Sequence, residues 1–182
     1  MRIIAGVRRG LKLFDFEGDS IRPTTDRVRE NIFNIISPYV TDADVLDMFA
    51  GTGAFSIEAI SRGARSAVLC ELSEKSSWLA RKNLLKADFE DKCKVEIGDS
   101  IDYLQKAGKK FDIIFLDPPY NTGLLKRALE KIAESDVLLD CGIVVAECDD
   151  TEIPGKIDML ELLKEKKYGR THILIYKAKK SE

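Results

Sequence analysis

The chain has 182 residues, 45% of them hydrophobic and 33% charged, with a net charge of −2. That length suits one domain able to bury a sizeable core, and the composition excludes a disordered chain. No apolar run approaches the roughly 18 residues of a membrane-spanning helix.

Residues 1–9 place only Ile3-Ile4-Ala5-Gly6-Val7 between arginines. That is too short for a signal-peptide core, so a cytoplasmic protein with no membrane partner is expected. Cys70, Cys93, Cys141 and Cys148 show no C-x-x-C spacing, and His172 is the only histidine. Free thiols in a reducing compartment are expected, with no metal site and no disulfide framework. Charge is unevenly spread: residues 1–12 carry a local +4 and residues 164–180 a local +6, which leaves −12 for the remainder. Basic ends on an acidic body are either solvated tails or a footprint for a phosphate backbone.

In chain order, residues 2–5 and 11–14 read as a small N-terminal hairpin around Gly10. Thr25 or Asp26 caps a helix through residue 36. Val45-Leu46-Asp47-Met48-Phe49 reads as a buried strand, and residues 54–62 as a helix closed by Gly63. A second strand over 66–70 precedes a helix over 73–86. A third strand covers 94–97, with a short helix near 101–106. The fourth strand, 111–116, leads to a stretch with apolar residues at Leu125, Ala128, Leu129 and Ile132, a helical spacing. Residues 142–146 form a fifth strand. The last two, 159–166 and 171–177, flank Tyr168-Gly169-Arg170 as an antiparallel hairpin. Continuous apolar strands alternating with helices imply an α/β fold whose parallel sheet is covered on both faces. No repeat, low-complexity segment or linker interrupts it.

Two segments carry chemistry. In Asp47-Met48-Phe49-Ala50-Gly51-Thr52-Gly53-Ala54 a strand runs into a glycine turn and then a helix. Gly51 and Gly53 let backbone approach a ligand, and the helix start offers unpaired N–H groups. Glu71 ends the second strand, so in a doubly wound sheet it shares the carboxyl-edge crevice, where it can accept from ribose hydroxyls. The G-x-G-x-x-G fingerprint is incomplete at Ser56. Asp47, at the strand end, suits a cationic ligand better than a pyrophosphate. Asp99, followed by Ser100, either caps the next helix or accepts from an adenine amine. Three acids around a glycine turn fit the amino acid, ribose and adenine parts of S-adenosylmethionine.

The second segment is Asp117-Pro118-Pro119-Tyr120 at the end of the fourth strand. Prolines fix φ and lack N–H groups. The Asp117 carboxylate and the Pro118 carbonyl therefore form adjacent acceptors able to grip both hydrogens of an exocyclic amine. Tyr120, beside Pro119, offers a ring on which a base can stack. A structural turn rarely needs this combination.

With these segments the chain resembles class I S-adenosylmethionine-dependent methyltransferases carrying the Asp-Pro-Pro-Tyr motif, and more closely the bacterial family that methylates guanine N2 in 16S ribosomal RNA. The resemblance covers nearly the whole chain. It includes Met1-Arg2-Ile3-Ile4-Ala5-Gly6, Arg9-Gly10, Arg22-Pro23-Thr24-Thr25-Asp26-Arg27-Val28-Arg29-Glu30, the glycine turn, Ser61-Arg62-Gly63-Ala64 and Tyr168-Gly169-Arg170-Thr171. Phe55-Ser56 stands where the family often has Leu-Gly.

The resemblance implies a single Rossmann-like domain with a mostly parallel seven-stranded sheet, a C-terminal antiparallel hairpin and an N-terminal RNA-contacting extension over 1–22, with the core over 23–182. It also implies S-adenosylmethionine as donor, S-adenosylhomocysteine as product, and ribosomal RNA or the small ribosomal subunit as partner of a monomeric enzyme. Asp117, Pro118 and Tyr120 would be catalytic, with Pro119 against the base. Asp47, Gly51, Gly53, Glu71, Asp99 and Ser100 would hold the cofactor. Arg2, Arg8, Arg9 and Arg22, with the terminal lysines, are expected at phosphates. Arg27 and Arg29 could instead cap the sheet edge or pair with Glu30, and His172 reads as a packed strand residue. The nearest rival is an adenine-N6 methyltransferase on DNA or RNA, because the motif serves any exocyclic amine. An NAD-dependent oxidoreductase would leave Asp117-Pro118-Pro119-Tyr120 without a role. A non-catalytic RNA-binding protein is the third reading.

Overall fold

The computed structural model describes residues 1–16 and 25–179. Four short strands, β1 (Asp44–Asp47), β2 (Ser66–Glu71), β3 (Cys93–Ile97) and β4 (Phe111–Leu116), precede the longer β5 (Leu138–Asp149), β6 (Leu160–Tyr168) and β7 (Thr171–Ala178). They form one seven-stranded sheet in the order β3-β2-β1-β4-β5-β7-β6. β1 to β5 pair in parallel, while β7 is antiparallel to both β5 and β6.

Helices α1 (Asp26–Val40), α2 (Ala54–Ser61) and α3 (Glu74–Ala87) contribute to the core on one face of the sheet; α4 (Ser100–Leu104) and α5 (Leu124–Glu134) contribute to the other. This explains why consecutive residues Val45-Leu46 of β1 and Ile113-Ile114-Phe115-Leu116 of β4 are all apolar and buried, since they meet side chains on both sides. On α5 the predicted spacing holds: Leu125, Ala128, Leu129 and Ile132 are all buried. Helix starts follow ordinary capping chemistry. Thr25 accepts from the Val28 amide at 3.3 Å, and Ser73 accepts from the Ser76 amide at 3.3 Å.

Strand order reverses between β1 and β4. Successive strands leave that point in opposite directions, which opens a crevice at the carboxyl ends of the two strands. Every element that reaches the candidate site does so there.

The expected N-terminal hairpin is reduced to a single bridge, Arg2 to Lys12. Ile3 and Leu13 belong to the main core. The fully buried Glu58 of α2 accepts from the backbone amides of Ile4 and Ala5 at 2.7 and 3.0 Å. Asn83 of α3 holds Phe14 through both its amide and carbonyl groups. Residues 1–14 are thus clamped onto α2 and α3. The expected boundary between residues 22 and 23 lies outside the described residues, as does Arg22.

Phe55 stacks on both Phe33 and Phe115, with ring centroids 6.3 and 5.0 Å away, and those two rings lie 5.7 Å from each other, so the three form one aromatic cluster. The basic C-terminal stretch runs from the end of the edge strand β6 into β7, and Glu161, Lys164, Glu165, Lys166 and Lys167 on β6 discourage pairing with other chains. His172 is a packed strand residue as expected. Its ring nitrogens meet Glu165 Oε1 at 2.7 Å and Asp150 Oδ1 at 2.6 Å. Burial works against its protonation, but these two carboxylates carry its pKa above the ordinary value.

Candidate active site

A cleft of about 700 Å³ opens at the carboxyl edge of β1, β2, β4 and β5. Its volume falls in the range of small-molecule sites. The loop after β1 forms its floor, the tip of β2 and the loop after β3 one wall, and the Asp117–Tyr120 turn the other.

Gly51 is left-handed, at φ 52°, and a Cβ built there would meet nothing within 4 Å. The turn therefore presents bare backbone to the cleft. The Gly51 amide donates to Glu71 Oε2 at 2.8 Å, and the Ser73 amide donates to Oε1 at 2.9 Å. A carboxylate offers about four acceptor positions. Glu71 is thereby fixed in orientation by two backbone donors while it lines the cleft. Beyond it, Leu72 and Ile101 line the cleft with apolar side chains, together with Gly98, Asp99 and Ser100. Asp99 has the capping role considered for it: it starts α4 and accepts from the Ile101 amide at 2.7 Å. It is also exposed at the cleft.

Two residues expected at the cofactor do not line the cleft. Asp47 is 1% exposed and accepts from the Ser56 hydroxyl at 3.0 Å. The loop curls over it, so Met48 to Thr52, not Asp47, face the cavity. Burial pushes its pKa up to about 7, with the nearby Glu71 charge adding to the rise. Gly53 is the left-handed N-cap of α2, and a Cβ there would meet Leu69 at 3.0 Å. Its role is close packing beneath the loop. Ser56, the residue that breaks the dinucleotide fingerprint, donates to the buried carboxylate alongside the backbone groups of Ser56 and Phe49.

Across the cleft, Asp117 is half-buried, Pro118 buried, and Pro119 and Tyr120 exposed. The Tyr120 hydroxyl donates to Glu147 Oε1 at 3.0 Å. Burial first, then the Glu147 charge, raise its pKa well above the ordinary tyrosine value. Glu147 itself escaped the sequence reading, which ended the fifth strand at Ala146. It lines the cleft and is 6% exposed. A carboxylate directly after an apolar strand, at the same sheet edge as Asp117, was the available signal.

Arg29 of α1 also reaches the cleft. It is 1% exposed, and its Nη2 donates to the Arg2 carbonyl and to Asp26 Oδ1. Its partner is Asp26, one turn earlier, and not Glu30. Burial pulls its pKa below the ordinary value against the opposing charge of Asp26. Arg27 is exposed.

Of the arginines expected at phosphates, Arg9 is exposed, and Arg2 is exposed beside Asp26, 3.5 Å away. Arg8 has another partner: it donates to the Ala87 carbonyl and to Asp88 Oδ2 at the end of α3. Such a cation complements the partial negative charge of a helix C-terminus. Among the described residues no cluster of three or more His, Cys, Asp or Glu could hold a metal ion, and no helix is long and apolar enough to cross a membrane.

Comparison with known proteins adds a family. Residues 1–177 match the family model described as "Conserved hypothetical protein 95". The Bacillus subtilis protein named "Putative rRNA methyltransferase YlbH" is 38% identical over 181 residues, spanning 97% of this chain and 98% of its own. Escherichia coli "Ribosomal RNA small subunit methyltransferase D" is 36% identical over 179 residues, spanning 97% of this chain and 89% of its own. A solved structure titled "Putative methyltransferase yhhF from Escherichia coli" superposes with a TM-score of 0.86 at 33% identity, covering 98% of this chain and 97% of the other.

Proposed function

The chain belongs to the family described as conserved hypothetical protein 95; from that premise and the cleft we propose that it methylates the exocyclic N2 amine of a guanosine in small-subunit ribosomal RNA, with S-adenosylmethionine as donor. The observation that carries the reading is a single cleft with a backbone-anchored carboxylate, Glu71, on one wall and the Asp117-Pro118-Pro119-Tyr120 turn on the other. The names of the relatives support ribosomal RNA as the methyl acceptor.

The residues fit the donor. Glu71 is oriented to accept from ribose hydroxyls, the bare backbone at Gly51 admits the amino acid part, and the exposed Asp99, together with Leu72 and Ile101, suits an adenine. When bound, S-adenosylmethionine supplies an electrophilic methyl on a sulfonium. Asp47 acts from beneath, holding the glycine turn through Ser56.

A guanine N2 lone pair is delocalised into the ring and is a poor nucleophile. Asp117 and the Pro118 carbonyl accept its two hydrogens and turn the lone pair toward the cleft. The carboxylate also stabilises the positive charge that develops on nitrogen. Positioning of this kind supplies about 7–11 kcal/mol in favourable systems. Transfer would break the sulfonium S–CH3 bond as the N2–CH3 bond forms, the sulfur keeping the electron pair and leaving as S-adenosylhomocysteine, and N2 gives up one proton, to Asp117 or to water. The ring of Tyr120 stacks on the base. A base inside a helix cannot enter such a cleft, so the target is looped out or flipped. The exposed Arg2 and Arg9 are assigned to phosphates, and the protein acts where ribosomes are made, in the cytoplasm.

The test is transfer of labelled methyl from S-adenosylmethionine to unmodified 16S rRNA and to small subunits, followed by digestion to nucleosides. Label in N2-methylguanosine supports the reading. Label in N6-methyladenosine would favour the adenine enzyme, and no label on either substrate would leave an RNA-binding protein.

A further inference from the structure

We propose that Glu147 is the residue that selects guanine over adenine, by accepting the N1–H that guanine has and adenine lacks. The inference rests on the proposed methyl transfer and deepens it, because the Asp117–Tyr120 turn can hold any exocyclic amine.

The sheet register places the two carboxylates side by side. β4 and β5 are parallel, with Leu116 opposite Ala146. Asp117 and Glu147 are the next residue on each chain. Phe115 and Val145, two positions earlier than each, both lie in the core on the α1–α2–α3 face. Side chains alternate along a strand, so Asp117 and Glu147 project to that same face, about 4.8 Å apart in backbone spacing. Both line the cleft, and both border the small apolar recess behind it, against Phe55 and Ile173.

Glu147 is also built to stay in place. Its Oε1 accepts the Tyr120 hydroxyl at 3.0 Å, and that hydroxyl meets the Thr171 side chain as well. The same bond ties the ring that would stack on the base to the carboxylate that would read its edge.

Guanine presents N1–H and N2–H side by side and nearly parallel. Two neighbouring carboxylates match that pair of donors, Asp117 on N2 and Glu147 on N1. Adenine presents an acceptor lone pair at N1. A carboxylate facing it is repelled, because two acceptors then meet with no hydrogen between them. Sites that hydrogen-bond a group on the substrate discriminate strongly against analogues that lack it.

The test uses small-subunit RNA carrying either guanine or 2-aminopurine at the nucleotide that receives the methyl group. The analogue keeps the C2 amine but has an acceptor at N1. Wild-type protein is expected to lose about tenfold or more in kcat/KM on the analogue. In Glu147→Gln the side-chain amide can donate to that nitrogen, and the gap is expected to shrink to about threefold or less. Thermal midpoint and S-adenosylmethionine affinity should stay near wild type, which separates selectivity from folding. If Glu147→Gln does not fold, Glu147→Ala is measured in the same way, with a gap shrunk to about threefold or less expected there too, and equal wild-type rates on the two bases overturn the proposal in either case. Equal rates on the two bases, or a gap unchanged in the variant, would overturn the role of Glu147 while leaving guanine methylation intact. Wild-type product in N6-methyladenosine would overturn both.

Discussion

The backbone amide of Gly51 donates to Glu71 Oε2 at 2.8 Å, a bond between residues 20 apart that joins the loop after β1 to the tip of β2. The glycine turn and the carboxylate proposed for the ribose are therefore one unit. Loss of Glu71 would loosen the turn and, on the proposed function, remove a ligand contact as well.

Glu71→Ala is accordingly expected to weaken S-adenosylmethionine binding by about 1.5–3 kcal/mol, the range for hydrogen bonds to charged groups. Calorimetry should read roughly 10–100-fold in Kd. An unchanged Kd would remove the nucleoside from this wall of the cleft.

Asp117→Ala is expected to lower kcat by about 10²–10³-fold or more, as when one donor or acceptor is removed from a preorganised site. The Kd for S-adenosylmethionine should change by no more than about twofold, because Asp117 is on the opposite wall from Glu71. A variant with near wild-type turnover would show that the amine is held elsewhere.

Asp47 makes stability depend on pH. Its pKa lies near 7 in the fold against an ordinary 3.8. Between those values the folded protein keeps a proton that the unfolded chain has released. Stability from this site is therefore greatest below about pH 4, falls as pH rises toward 7, and is level above it. Asp47→Asn cannot titrate. Its urea midpoint relative to wild type should rise between pH 5 and pH 7.5, and a constant difference would contradict the raised pKa.

Two glycines in the N-terminal segment should respond differently to alanine. Gly6, at φ 81°, would place a Cβ 1.7 Å from the Ser61 carbonyl oxygen, whereas Gly10, at φ 86°, has nothing within 4 Å. Gly10→Ala should cost about 1–2 kcal/mol for the left-handed backbone alone. Gly6→Ala adds a clash with α2 and should cost about 2 kcal/mol or more beyond that, with loss of the Glu58 contacts. Equal denaturation midpoints would mean that residues 1–14 are not clamped to α2.

The fold was legible in the sequence because apolar runs, caps and glycines all pointed the same way. The alternation over residues 45–146 located each of the first five strands, and Tyr168-Gly169-Arg170 located the last turn. What could not be read was depth. Asp47 was expected at the ligand, but whether a strand-end carboxylate faces out or lies under its own loop depends on how that loop curls, and no local pattern encodes this. Glu58, Asn83 and Arg29 serve contacts across 27 to 69 residues of sequence. Their partners are mostly backbone groups, which carry no sequence signature. Glu147 was missed for a different reason. Its meaning comes from register with Asp117, which exists only once β4 and β5 are paired.

On the proposed function, the Asp117–Pro118 turn and the cofactor site are two walls of one reaction chamber. A crystal structure with S-adenosylhomocysteine bound is the decisive measurement. The ribose hydroxyls should lie on Glu71, with the sulfur directed at the turn, so that a methyl on it would sit about 3–3.5 Å from an amine held by Asp117 and the Pro118 carbonyl. A sulfur directed away from that turn, with the ribose off Glu71, would contradict it.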